Sequence, residues 1–149
     1  MMDALSRFVQ VQIISQTDSE AVFRCFWASW VAPFGLSARV SFDNDVRWSG
    51  STTKMTKVLT DFGVDIHKSM PYRSQSNGRC ERQIQELNKV LRLVQAQGGE
   101  DLDFADQLLL GVTLLNKQPR PPTSFSACEL FNYCRSQWPD CVPSFSGPG

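Results

Sequence analysis

The order of strand-like and helix-like stretches predicts an α/β fold in which parallel strands and helices form separate layers. Three short runs have the pattern of strands, at residues 7–14, 36–42 and 64–67. Stretches with helical periodicity separate them, and strands that are joined through helices pair in parallel with right-handed crossovers. We therefore expect the strands that end at Phe42 and His67 to lie side by side in the sheet.

The helices between and after these strands carry recognisable start and stop signals. Thr17 is the expected N-cap of the first helix because Glu20, three residues later, completes a capping box, and Pro33 is expected to end it. Gly63 is expected to end the second helix, and two glycines at 98 and 99 separate the later ones. Apart from the central helix described next, we expect helices at residues 18–32, 52–62, 101–116 and 124–133. In the helix at 101–116 the expected inward-facing residues are Phe104, Leu108, Leu109, Val112 and Leu115.

The stretch from residue 72 to residue 92 combines a polar beginning with an amphipathic helix. Its first part, through Gly78, is rich in turn-forming residues and predicts a loop, in which Gly78 is the expected hinge because glycine adopts positive φ cheaply. The helix that follows has an apolar stripe at three- and four-residue steps, formed by Ile84, Leu87, Leu91 and Val94. The opposite face carries one acid with amides and bases, namely Glu81, Gln85, Asn88, Lys89 and Arg92.

Composition excludes several classes of protein. The chain is 42% apolar and 20% charged, which is typical of a globular domain, and no apolar run approaches the ~20 residues that a membrane span requires. Five scattered cysteines without a C-x-x-C pair, and the single histidine His67, argue against a zinc site. Scattered cysteines of this kind indicate reduced thiols, and we see no secretory leader. We therefore expect a protein of the nucleus or the cytoplasm, and we expect no membrane partner.

Several short motifs, in the correct order along residues 1–135, resemble the catalytic core of retroviral and retrotransposon integrases, which belongs to the ribonuclease H-like superfamily. The motifs are Asp3-Ala4-Leu5-Ser6-Arg7-Phe8, Phe42-Asp43-Asn44, Met70-Pro71-Tyr72, Gln75-Ser76-Asn77-Gly78, Glu81-Arg82, Asn116 with Pro121-Pro122-Thr123-Ser124, and Glu129-Leu130-Phe131. The chain departs from the family at Asp45, where glycine is usual, and at Ser74, where proline is usual.

The resemblance implies a ribonuclease H-like, three-layer α/β/α fold with a mixed sheet. In the family, the first catalytic aspartate lies on a strand that precedes the motif beginning at Asp3, so the resemblance also implies that this chain is truncated at its amino-terminal side and lacks the first strand or strands. We therefore expect residues 1–135 to form a partial catalytic core. Residues 136–149 are rich in proline, serine and glycine and are expected to form a flexible tail.

By the resemblance, Asp43 and Glu81 are the second and third catalytic carboxylates and bind Mg²⁺ or Mn²⁺. Asp43 directly follows the strand at 36–42, and ligands in such sheets lie beyond the carboxyl ends of strands. Carboxylate oxygens suit Mg²⁺, and two such ions can activate an attacking hydroxyl and stabilise a leaving oxygen. Because the first acid is absent, we expect the chain to be inactive by itself. The alternative for Asp43 is a turn-forming residue, and for Glu81 a favourable residue in a first helical turn.

Candidate DNA contacts are concentrated in the middle of the chain. Between Arg47 and Arg92 there are nine basic and four acidic residues, giving 9 − 4 = +5, although the net charge of the whole chain is zero. Family analogy assigns DNA-end contacts to Tyr72, Asn77, Gln85, Asn88 and Lys89. The basic residues expected to neutralise phosphates are Arg73, Arg79, Arg82, Lys89 and Arg92.

Two functions remain open at this point. In the first, the chain is a fragment of a retrotransposon integrase whose intact parent, a homo-oligomer, joins DNA by metal-dependent strand transfer. In the second, it is a catalytically inactive remnant or co-opted module that binds nucleic acid or protein.

Overall fold

The computed structural model describes residues 1–42, 53–68 and 74–137. The helices and strands are α1 (Ser19–Phe26), α2 (Ala32–Phe34), β1 (Arg39–Phe42), α3 (Lys54–Asp61), β2 (Asp65–Lys68), α4 (Ser74–Ala96), α5 (Phe104–Lys117) and α6 (Ala127–Gln137). A π-helical turn joins α1 to α2, and a 3-10 turn precedes α5. The chain folds as two compact units. The sheet unit comprises the described parts of residues 14–77, and the helical unit comprises residues 1–13 and 78–137.

In the sheet unit, β1 and β2 pair in parallel, with Arg39 opposite Asp65 and Phe42 opposite Lys68. This confirms that the strands ending near Phe42 and His67 are neighbours. Helix α3 lies between them in the sequence. Its N-cap is Thr53, whose hydroxyl accepts a hydrogen bond from the N–H of Thr56. The buried core of this unit consists of Val22, Met55, Leu59 and Val64, against which side chains of both strands pack.

Helix α1 begins one residue later than expected. Asp18 is its N-cap, because its carboxylate accepts hydrogen bonds from the N–H groups of Glu20 and Ala21 at 3.0 and 2.9 Å. The assignment of Thr17 as N-cap is therefore wrong. The helical path continues past Pro33 and ends at Gly35, which has a φ of 81° that glycine adopts at no steric cost.

In the helical unit, the inner side of α4 packs against α5 and the amino-terminal segment. The buried cluster consists of Val9, Leu87, Val90, Val94, Val112 and Leu115. The two helices approach closely at Gly111, where an added Cβ would lie 2.8 Å from Cδ2 of Leu91. This packing fixes which side of α4 faces inward.

Residues 7–14 do not form a strand, so that prediction is wrong. Val9 makes one isolated antiparallel bridge with Met2. Its remaining backbone contacts come from a side chain: Oδ1 of Asn116 accepts a hydrogen bond from the N–H of Val9 at 2.9 Å, and Nδ2 donates one to its C=O at 2.7 Å. Both bonds are buried. The carboxamide thus occupies the position that a neighbouring strand would take, and no buried backbone group of Val9 is left without a partner.

Other differences concern which residues face inward and where elements begin. Ile84 is 58% exposed, and Val90 takes its place in the buried stripe of α4. In α5, Phe104 and Leu109 are exposed, while Val112 and Leu115 are buried as expected. Helix α6 begins after a capping box formed by Ser126 and Glu129, and it extends through residue 137, two residues into the expected tail.

The carboxylate of Glu129 accepts hydrogen bonds from the N–H and the hydroxyl of Ser126, which lowers the pKa of this carboxyl group.

Residues 138–149 of the expected tail lie outside the described residues. Within the described ranges, no helix combines the length and the apolar character that crossing a bilayer demands.

We predict that Asn116→Ala lowers the free energy of unfolding by about 2–4 kcal/mol, because it leaves the buried N–H and C=O of Val9 unpaired. Urea unfolding measures the effect, with Asn132→Ala on the exposed side of α6 as the matched control. Equal stabilities of Asn116→Ala and Asn132→Ala would show that the carboxamide does not hold the segment.

Candidate nucleic-acid interface

The outer face of α4 lies opposite the buried stripe of Leu87, Val90 and Val94. At 100° per residue the polar residues singled out from the sequence fall on this opposite side, and the structure shows every one of them exposed. We call this set the outer face, and it consists of Glu81, Gln85, Asn88, Lys89 and Arg92. The structure thus brings these five residues together on one surface of one rigid element.

The carboxylate of Glu81 is exposed and makes no hydrogen bond or ion pair with another described residue. The same holds, within the described part of the chain, for the side chains of Gln85, Asn88 and Arg92. Polar groups in this state are solvated and can exchange water for a ligand without first breaking an internal contact. The outer face is therefore available for binding.

Lys89 is the member of the outer face that has an internal partner. Its Nζ lies 2.7 Å from Oε1 of Glu86, one turn earlier, and the two side chains are 66% and 44% exposed. Ion pairs at this level of exposure contribute little stability. A phosphate can therefore compete with Glu86 for the ammonium group at low cost.

Two further arginines extend the positive charge along the amino-terminal half of α4. Arg79 and Arg82 are exposed, and neither side chain contacts another residue among those described. From residue 79 to residue 92 the helix carries four basic and two acidic side chains, giving 4 − 2 = +2. A local excess of positive charge attracts a phosphate backbone.

Gly78 lies inside α4, and the expectation of a loop hinge at this residue is wrong. The helix begins at Ser74, so the turn-forming residues 74–77 are helical too. Gly78 does not have positive φ, and an added Cβ would meet no atom within 4 Å. Nothing in its conformation therefore requires glycine.

Four of the residues predicted from the sequence cannot be assigned a place in this surface. Asp43, Tyr72 and Arg73 lie outside the described residues, and Asn77 is described only as a backbone position of α4. Asp43 directly follows the last residue of β1 in the sequence. That Asp43 and Glu81 bind the same metal stays a prediction.

A divalent metal needs several oxygen or nitrogen ligands at one place. Across residues 1–42, 53–68 and 74–137, no three His, Cys, Asp or Glu side chains come close enough to form such a site. The described residues by themselves do not fit a metal centre, and Glu81 is the one predicted ligand among them.

A network behind the outer face was not predicted from the sequence. Gln83 is 6% exposed, on the inner side of α4. Its Oε1 accepts a hydrogen bond from Nη1 of Arg120 at 3.1 Å, and its Nε2 donates a longer one to the C=O of Arg7 at 3.4 Å. A glutamine one turn before Leu87, in register with the buried stripe, is the sequence signal that could have revealed it.

Comparison with known proteins gives matches at the level of structure. No family model matches the sequence, and a search of curated protein sequences finds no match either. The structure is similar to the catalytic core domain of BIV integrase, with a TM-score of 0.74 and 19% identity over 91% of this chain and 85% of that chain.

Two other integrase structures are also similar. One is a chain of the simian T-cell lymphotropic virus intasome, with a TM-score of 0.70 and 16% identity, over 87% of this chain and 46% of that chain. The other is the HTLV-2 integrase catalytic core domain in complex with magnesium, with a TM-score of 0.67 and 14% identity, over 87% of this chain and 80% of that chain. At these identities the likeness concerns the fold. The chain therefore has the ribonuclease H-like α/β fold of a retroviral integrase catalytic core.

Proposed function

We propose that this chain is a nucleic-acid-binding domain descended from a retrotransposon integrase, acting in the nucleus or cytoplasm. The observation that carries the proposal is the outer face of α4: four polar or charged side chains without an internal partner among the described residues, and Lys89 with a weak one. They lie on an integrase-type fold, directly opposite the buried stripe that fixes the helix.

The chemistry of the outer face suits a nucleic-acid backbone. Lys89 and Arg92 neutralise phosphates, and Arg82, seven residues before Lys89 and on the same side of the helix, extends this contact towards the amino-terminal end. The carboxamides of Gln85 and Asn88 can donate hydrogen bonds to sugars and base edges and accept hydrogen bonds from them. Contacts to base edges distinguish one base from another, which phosphate contacts alone cannot do. The proposed contacts of Tyr72, Arg73 and Asn77 would add to this surface.

We predict that Lys89→Gln/Arg92→Gln weakens binding to a labelled DNA duplex about 10-fold at roughly 0.1 M salt and lowers the slope of log affinity against log salt by about 2. Fluorescence anisotropy at several salt concentrations measures both. Lys57→Gln/Lys117→Gln is the control, because it removes the same charge from exposed lysines outside α4. Equal losses in the two double variants would mean that α4 is not the interface.

The second candidate function is metal-dependent strand transfer. It is favoured by the free carboxylate of Glu81 and by the likeness to a core domain solved with magnesium. In this case Asp43 and Glu81 would supply oxygen ligands for Mg²⁺ or Mn²⁺, whose chemistry is to activate a hydroxyl and stabilise a leaving oxygen. Asp43 lies outside the described residues, so Glu81 alone carries the geometric support for this centre, and we place strand transfer second to binding.

We predict no strand transfer by the chain alone with Mg²⁺ or Mn²⁺, measured by the appearance of joined DNA on a denaturing gel. Glu81→Gln should bind the duplex about 2- to 3-fold more tightly than the wild type, because it removes a negative charge from the outer face. Joined product made by the wild type and lost in Glu81→Gln would contradict the binding-only assignment and establish the enzyme.

We also propose that the chain self-associates through α5. Leu110 and Leu114 are exposed on the side of this helix away from Val112, and Leu109 is exposed next to Leu110 in the sequence. Adjacent exposed leucines on one helix form an apolar patch of the kind that marks an interface. Burying this patch between two copies of the chain removes apolar surface from water, and this stabilises the association without any charged contact.

We predict that the wild type forms concentration-dependent dimers or larger species in sedimentation experiments, and that Leu110→Gln/Leu114→Gln shifts it to monomer. Leu93→Gln is the control, because Leu93 is also exposed but lies on α4. A wild type that stays monomeric at its highest soluble concentration would refute self-association through α5.

A further inference from the structure

Gln83 joins three segments of the helical unit that are far apart in sequence. The carboxamide is buried on the inner side of α4, where it holds the guanidinium of Arg120 and the main chain of Arg7. Arg120 lies between α5 and α6, and Arg7 lies in the turn before Val9. Arg7 and Arg120 thus form a pair that meets at Gln83, through the main chain of Arg7 and the guanidinium of Arg120.

This pair has unbalanced charge. Arg120 is partly buried, and its side chain bonds to no described residue except Gln83. Burial lowers the pKa of the Arg120 guanidinium, the positive charge of Arg7 lowers it further, and Glu86 acts in the opposite direction. No carboxylate among the described residues lies within ion-pair distance of either arginine. Two like charges, one of them partly removed from water, destabilise the fold unless an anion joins them.

The backbone at Arg7 adds a second cost. Its φ is 61°, in the left-handed region that long side chains seldom adopt. The turn is held by Asp3, whose Oδ2 accepts hydrogen bonds from the N–H and the hydroxyl of buried Ser6 at 2.7 Å each. The structure thus maintains a strained residue and a repulsive pair side by side, a combination typical of a site that serves a ligand.

We propose that Arg7 and Arg120 bind a phosphodiester group of the nucleic acid, at a second contact distinct from the outer face of α4. Guanidinium groups present paired N–H donors that match phosphate oxygens, and four N–H groups of Arg120 bond to no side chain or main chain in the described ranges. Because Gln83 and Glu81 are two residues apart on the helix, their sides of α4 are nearly opposite. This inference rests on the function proposed above.

Arg7→Asn separates this role from a structural one. Asparagine tolerates left-handed φ better than arginine, and the change removes the repulsion on Arg120, so the melting temperature should stay equal or rise. If the pair binds a phosphodiester, affinity for the duplex should fall about 3- to 10-fold and the salt slope by about 1. Lys57→Gln is the control with the same loss of charge, and its affinity should change less than 2-fold.

Arg120 variants and inorganic phosphate complete the test. Arg120→Gln should weaken binding to the duplex at least as much as Arg7→Asn does. The affinity of Arg120→Lys should lie between those of Arg120→Gln and the wild type, because lysine keeps the charge and loses the planar guanidinium. Inorganic phosphate should raise the melting temperature of the wild type more than that of Arg7→Asn.

Three results would overturn the inference in distinguishable ways. If Arg7→Asn binds DNA as Lys57→Gln does, the pair is structural only. If phosphate stabilises the wild type while Arg7→Asn leaves DNA affinity unchanged, the pair is a site for a free anion and not for nucleic acid. If Lys89→Gln/Arg92→Gln also leaves DNA affinity unchanged, the proposed function itself has failed.

Discussion

The two hydrogen bonds between the side chain of Asn116 and the backbone of Val9 are the constraint on which the helical unit depends. They bring the amino-terminal segment onto α4 and α5 without a strand beside it, and so allow Val9 to enter the buried cluster. With Val9, Val112 and Leu115 in place, one side of α4 has to face inward. A carboxamide can do this because it offers one donor and one acceptor in the spacing of a peptide group.

The polar surface of α4 follows from that packing. Once Leu87, Val90 and Val94 are buried, the rotation of the helix places Glu81 and Arg92 on the opposite side, in water and without internal partners among the described residues. A helix held on one side by packing is a rigid support for a charged surface on the other. Gln83 is the exception, a polar residue on the inner side whose hydrogen bonds join two arginines.

Local patterns in the sequence predicted some of the features that depend on periodicity, although the strand at residues 7–14 and the inward positions of Ile84 and Leu109 were wrong. The outer face of α4 and the pairing of β1 with β2 both follow from spacing and from the direction of the chain. Features that depend on distant residues were missed: Asn116 lies 107 residues from Val9, and no local signal shows that its side chain replaces a strand. The turn-forming residues before Gly78 were misread because the helix of Ser74–Ala96 overrides their intrinsic preferences. The integrase motifs predicted the fold correctly, while the role of Asp43 stays a prediction.

The most direct test of the account is to map the nucleic-acid contact on the isotope-labelled chain by nuclear magnetic resonance, titrating a short DNA duplex. We expect chemical-shift changes to recur every three or four residues along α4, largest at Glu81, Gln85, Asn88 and Arg92 and small at Leu87, Val90 and Val94. If the chemical shifts of α4 stay the same while those of other elements of the chain change, α4 is not the nucleic-acid interface.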